Sequence, residues 1–171
     1  MNSFQSASIW DTIQNSNLGT TIAESTWMFP TLETIHVIFL VTVLGTIFVV
    51  DLRMLGWTSN KFALTKVAKD TLPWTWGAFV LAAITGTLLW ISKATDYMHN
   101  PWFLLKMGAM ALAGLNMMYF HFMTWRTVEH WDRDATMPAA VKVAAALSIV
   151  FWLCVTFFGR MIGFTLGQFG S

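Results

Sequence analysis

The stretch Phe29-Pro30-Thr31-Leu32-Glu33-Thr34-Ile35-His36-Val37-Ile38-Phe39-Leu40-Val41-Thr42-Val43-Leu44-Gly45-Thr46-Ile47-Phe48-Val49-Val50 has Glu33 and His36 as its only ionisable groups. A helix needs ~20 predominantly apolar residues to cross the hydrocarbon layer of a bilayer. Lipid offers no partner to a backbone N–H or C=O, so a run of this length closes its hydrogen bonds within itself. Pro30 stands where the first turn of that helix falls, and there its missing N–H costs nothing. This one segment makes the chain an integral membrane protein of the helical kind.

Three further apolar segments repeat the pattern, at residues 73–91, 101–124 and 138–164. Pro73, Pro101 and Pro138 are expected to open them as Pro30 opens the first, which uses every proline in the chain. The predicted fold is therefore an all-α, four-helix transmembrane bundle over residues 29–171. Composition agrees: the 171 residues are 56% hydrophobic and 11% charged, against roughly 45–50% and 25% in soluble domains. Lys+Arg is 10 and Asp+Glu is 9, so no excess charge points to nucleic acid. The lone Cys154 excludes an internal disulfide framework and a CxxC zinc site. Phosphate cradles, a serine elbow and HExxH are absent, so soluble-type hydrolase and kinase chemistry has no support.

Residues 1–28 are polar, with Phe4, Ile9, Trp10, Ile13 and Ile22 scattered among Ser, Thr and Asn. They lack the basic start and small-residue cleavage site of a signal peptide, and the expectation is a short arm or surface helix on the membrane. Arg53, Lys61, Lys66, Lys69, Arg126, Arg133 and Lys142 belong to the first and third loops, whereas Lys93, Lys106 and Arg160 lie on the other side. The positive-inside rule then puts those two loops in the cytoplasm and both termini outside. The expected location is a bacterial inner membrane with periplasmic termini.

Ionisable groups inside a span are costly and so mark candidate sites. At 1.5 Å per residue, His36 lies ~10 Å and Lys106 ~8 Å below the outer surface, because the third helix enters from the side where the first begins. Glu33 is one turn outward of His36 on the same face. Met98 and His99 are expected in the outer loop, and Arg160 near the outer end of the fourth helix. His121 falls ~20 Å deeper than His36 by the same arithmetic, so no single iron binds both. His121 would need partners from the inner side, where His130, Asp132 and Lys142 lie. Gly86 falls at the depth of His36. Small residues such as Ala82, Gly86, Gly108 and Ala113, with Asn116 farther down, permit either tight helix packing or a flat ring against the backbone.

Each of these residues also has a plainer role. His36 is able to bond a neighbouring helix, Glu33 to complement a helix dipole, and Lys106 and Arg160 to snorkel. His99, His121 and His130 suit an interface or solvent. The methionines of the third helix fill apolar gaps more often than they bind Cu(I). Asp51 and Arg53, in Asp51-Leu52-Arg53-Met54-Leu55-Gly56, are expected to serve structure or lipid headgroups, paired with each other or with a neighbouring helix.

The segments Trp27-Met28-Phe29-Pro30-Thr31-Leu32-Glu33-Thr34-Ile35-His36, Asp51 to Gly56, Pro73-Trp74-Thr75-Trp76-Gly77-Ala78-Phe79, Thr85-Gly86 and Phe103-Leu104-Leu105-Lys106 through Asn116 resemble a family of small bacterial four-helix membrane proteins of unknown function. The likeness covers residues 20–125. A more distant one, in layout, is to the HemJ-type protoporphyrinogen oxidase. That family has an early His in helix 1, a Trp-x-x-Lys motif opening helix 3 and a following Tyr-His pair, echoed by His36, Trp102 to Lys106 and Tyr119-Phe120-His121. Here the Trp–Lys spacing is one residue longer, Phe120 separates Tyr119 from His121, and the motif following the first His is missing. The resemblance implies haem b on His36, with Lys106 as ligand or propionate partner. The CopD-type copper-resistance domain, also with an early His, is similar in layout.

These readings lead to an expected haem-b membrane redox protein. His36 is an axial ligand, Lys106, His99 or Met98 the second contact, and Arg160 a propionate partner, with Glu33, Gly86 and Asn116 lining the site. Electrons would pass between a periplasmic partner and quinone, and self-association would enlarge a small interior. Two other classes stay open. A solute or copper transporter would use His36, Met98, His99 and the methionines of the third helix; His121 marks a separate candidate, a second inner site. A cofactor-free anchor would use the polar groups only to fix its packing.

Overall fold

The computed structural model describes residues 8–58, 61–132 and 137–169. Arg133 and the first seven residues of the arm, Phe4 included, lie outside the described residues. The described residues contain no strand. Among them, four helices are long and apolar enough to cross a membrane: α3 (Met28–Leu55), α4 (Leu64–Ser92), the segment Pro101–Thr124 and α8 (Ala139–Thr165). In the third of these, α6 (Pro101–Tyr119) runs on through a π turn, Phe120–Thr124, and a 3₁₀ turn, Trp125–Thr127, to the short α7 (Val128–Trp131). Two short helices, α1 (Ile9–Gln14) and α2 (Asn17–Glu24), precede α3, and α5 (Ala94–His99) joins α4 to α6.

Local chemistry sets the helix ends. Asn100 caps α6, its side-chain oxygen accepting from the Trp102 N–H at 3.0 Å, with Pro101 in the first turn. Gly56 ends α3 in the left-handed region at φ 80°, which a side chain would disfavour. Pro138 immediately precedes α8, but Pro73 does not open its helix. It lies inside α4, which begins at Leu64. Polar residues Lys66, Lys69 and Asp70 had made the stretch before Pro73 read as loop. It is instead helix that continues beyond the apolar span. Met98 and His99 are likewise helical, in α5, rather than loop.

The four long helices pack in the order α4, α3, α8, α6. α3 packs on α4 and α8, and α8 packs on α6, whereas α4 and α6 make no comparable contact. Along α4 the buried residues Thr75, Ala78, Ala82, Thr85, Leu89 and Ser92 recur every three or four positions, the seam of a left-handed helix pair. Their small side chains let α3 and α4 approach closely, as lipid-embedded helices require. The Thr75 hydroxyl donates to Thr46 Oγ1 across the seam at 2.9 Å. A cluster of buried apolar side chains, including Met54, Leu64, Trp131, Met137 and Val141, sits at the end of the bundle away from α5.

Residues 9–24 form a cap rather than a single surface helix. Ile22 is 1% exposed. Asp11 accepts from the Thr95 hydroxyl at 2.7 Å and Gln14 from the Thr95 N–H at 3.0 Å, while Trp10 meets Trp90 edge to face. These contacts tie α1 to the C-terminal end of α4 and to α5.

Beneath this cap Tyr97 is half-buried, and desolvation, with Glu33 and Asp96 adding to it, pushes its phenol up to about 12. A raised pKa favours the fold while the phenol is neutral. The contribution is complete below the unfolded value of ~10 and disappears as pH climbs through the folded one. The chain has two tyrosines. A spectrophotometric phenolate titration of folded protein should therefore show a late step near pH 12 that Tyr97→Phe removes. Its survival in that variant would reassign it.

Candidate functional site

His36 faces the α3–α4 seam. Its Nδ1 lies 3.0 Å from Thr85 Oγ1, and the Thr85 hydroxyl hydrogen is given to the Leu81 carbonyl at 2.8 Å, one turn back along α4. With that hydrogen committed, Oγ1 accepts and Nδ1 donates. In that tautomer Nε2 carries the lone pair, and the Ala82 carbonyl is a further hydrogen-bonding neighbour of the ring. A hydrogen bond that orients one ring nitrogen is a feature that metal-ligating histidines share.

Gly86 makes this placement sterically feasible. A Cβ there would stand 2.9 Å from His36 Cε1 and 3.4 Å from Nδ1, closer than side chains approach without moving. From the far side of the bundle Lys106 of α6 comes close enough to His36 to act on it electrostatically. The Lys106 ammonium lies beside α8, where a Cβ on Gly159 would be 3.7 Å from Nζ. All four spanning helices thus contribute to one level in the half of the bundle nearer α5: His36, Thr85 with Gly86, Lys106 and Gly159.

Other predicted members lie elsewhere. Glu33 is exposed one turn above His36, near Tyr97. Met98 is half-buried on α5, and His99 is exposed with Nδ1 2.8 Å from the Thr95 carbonyl oxygen. Arg160 stands over the Phe164 ring at 4.7 Å on the exposed side of α8. It adjoins Gly159, and consecutive residues on a helix differ by ~100°, so it points away from Lys106. Asn116 donates to the Ala144 carbonyl of α8 at 2.9 Å and clips α6 to α8. His121 is exposed in the π turn, its ring stacked on Trp125 at 6.0 Å. Among the described residues no three His, Cys, Asp or Glu side chains converge as a metal cluster would require.

A second polar centre lies at the end of the bundle away from α5. Arg53 is 0% exposed. Its Nε donates to the Phe62 carbonyl at 2.9 Å and its Nη2 to the Asp132 carbonyl at 3.4 Å, while Nη1 has no partner. Asp132 also caps α4 in trans, taking the Leu64 N–H on its carbonyl and the Thr65 N–H and hydroxyl on its carboxylate at 2.8 and 2.7 Å. Arg53 and Asp51 do not pair with one another. Asp51 is buried with Ser148 of α8 as its polar neighbour, and its Oδ2 is unpartnered.

Four apolar spans and a polar centre within them define a multi-pass membrane protein with an intramembrane site. The chain belongs to a family of unknown function, DUF6644, whose model matches residues 11–165. No curated protein and no solved structure matches it.

Proposed function

We propose that the protein is a membrane electron carrier that holds one haem b in the outer half of the bundle through His36 Nε2. The observation that carries this reading is the 3.0 Å contact of His36 Nδ1 with Thr85 Oγ1 beside Gly86, which orients the ring and, with the proton on Nδ1, gives Nε2 the lone pair. The donor set fits the group: a neutral imidazole with a fixed tautomer suits ferrous or ferric iron. The Lys106 amine on the opposite helix supplies either a sixth ligand or a counter-charge for a propionate. Because α4 and α6 do not pack on one another, a flat ring has a side from which to enter. The layout likeness to HemJ-type proteins at His36 and Lys106 supports the same choice.

When bound, haem supplies reversible one-electron chemistry. The chain's own residues orient the ligand and exclude water from it. The excess of Lys and Arg on the inner loops supports a bacterial inner membrane, periplasmic termini, and transfer between a periplasmic partner and quinone. The test is a dithionite-reduced minus oxidised spectrum of protein purified in mild detergent with haemin supplied. A b-type α-band is expected, and His36→Ala removes it. Thr85→Val keeps the shape but not the acceptor, so haem affinity should fall roughly 10–100-fold, the usual cost of losing an outer-shell partner. A featureless spectrum from well-folded wild type overturns the proposal.

A further inference from the structure

The first turns of α4 carry a charge pattern that the His36 centre does not use. α4 has 29 residues, which at 1.5 Å each gives ~44 Å, against a hydrocarbon layer of ~30 Å. Part of the helix must therefore stand outside the apolar region. Trp74 and Trp76 are 71% and 52% exposed, the position expected of an interfacial aromatic belt. The turns before them, with residues 61–63, consequently lie at headgroup level.

A cavity of about 680 Å³ opens at that level, lined by Lys61, Lys66, Lys69, Asp70 and Asp132 among others. Both of its carboxylates are engaged. Asp70 pairs with Lys66 at 2.8 Å, and the Asp132 oxygens accept from Thr65. Lys61 and Lys69 form no ion pair among the described residues, and Arg53 adds a buried positive charge behind the Phe62 and Asp132 carbonyls. The local balance is therefore positive. Adjoining it is a second hollow of about 210 Å³ that shares Phe62, Lys66 and Asp70 with the first and is completed by Val49, Val67 and Thr71. A basic recess continuous with a hollow whose apolar side is Val49, Phe62 and Val67, on a membrane-spanning helix pair, matches one ligand chemistry, a phosphate attached to an acyl chain.

We propose that this recess binds an anionic phospholipid. The headgroup phosphate lies between Lys61 and Lys69, with Lys66 at the junction, and an acyl chain follows Val49, Phe62 and Val67 toward the bilayer. The site would anchor the inner ends of α3 and α4 to the anionic leaflet. It is independent of any haem at His36.

Native mass spectrometry of the full chain in detergent, with added phosphatidylglycerol or phosphatidylcholine, tests this. Wild type should retain one phosphatidylglycerol, with phosphatidylcholine retained at least tenfold less. A lysine near an anionic surface contributes about fivefold in binding, so Lys61→Ala with Lys69→Ala should weaken retention roughly twenty-five-fold. Both side chains are exposed, so the double variant should fold, which circular dichroism verifies. Lys142→Ala, an exposed lysine on α8 outside the cavity, should retain lipid normally. Equal retention of the two lipids, or no loss in the double variant, overturns the proposal. So does displacement of phosphatidylglycerol by millimolar inorganic phosphate, which would make the recess a soluble-anion site.

Discussion

Gly86→Ala is expected to destabilise the α3–α4 pair when His36 is present and to stabilise it when His36 is absent. The added Cβ would meet the imidazole Cε1 at 2.9 Å. The ring cannot swing aside freely, because its Nδ1 is held by Thr85 at 3.0 Å. Overpacking of this kind costs about 1–3 kcal/mol. In a His36→Ala background the obstruction is gone, and alanine is a better helix former than glycine by up to ~1 kcal/mol. The sign of the substitution should therefore reverse between the two backgrounds. Thermal midpoints of the four proteins in one detergent read it directly. An equal effect of Gly86→Ala in both backgrounds would show that the imidazole does not occupy the glycine's side of the seam. Under the proposed function, Gly86→Ala alone also removes haem by displacing Nε2, so loss of the α-band should accompany the loss of stability.

The spans were legible because nothing in a bilayer competes with length and hydropathy, and residues 29–50 already carry that signal. Helix rotation was harder to read. α3 is apolar on every face, so its sequence does not mark the side that meets α4. The seam on α4 is written instead in small residues, Thr75, Ala78, Ala82 and Thr85, whose spacing stands out only once hydrophobicity is ignored. Depth arithmetic brought Gly86 to the level of His36, and the structure puts the two in contact. It could not find Thr85 as the hydroxyl partner or Gly159 beside Lys106, since both depend on rotation and not on depth. Pro73 misled for a related reason. A proline near the polar–apolar boundary reads as a helix start, yet the same boundary also arises where a continuous helix leaves the membrane. The trans cap from Asp132 had no local signature, because 67 residues separate it from Thr65.

Arg53→Ala is expected to have the largest effect on folding of any single change at the inner end. The side chain is 0% exposed and spans from α3 to the carbonyls of Phe62 and Asp132. It thereby joins the α3–α4 loop to the segment that caps α4. Hydrogen bonds to a charged group contribute about 1.5–3 kcal/mol each, and truncation also leaves the Phe62 carbonyl without this donor, whereas the Asp132 carbonyl keeps the Leu64 N–H. A loss of about 3 kcal/mol is the central expectation, and it should persist at high salt because the contacts are shielded from ions. Arg53→Lys should recover little of it, since an ammonium lacks the planar fork that reaches two carbonyls at once. Lys66→Ala provides the contrast. That side chain is 60% exposed and paired with Asp70 four residues on, and surface pairs of this type are worth at most ~1 kcal/mol. Thermal midpoints and limited proteolysis of the α3–α4 loop should therefore rank Arg53→Ala far below Lys66→Ala. Equal ranking would mean that the loop and the cap on α4 hold together without the guanidinium.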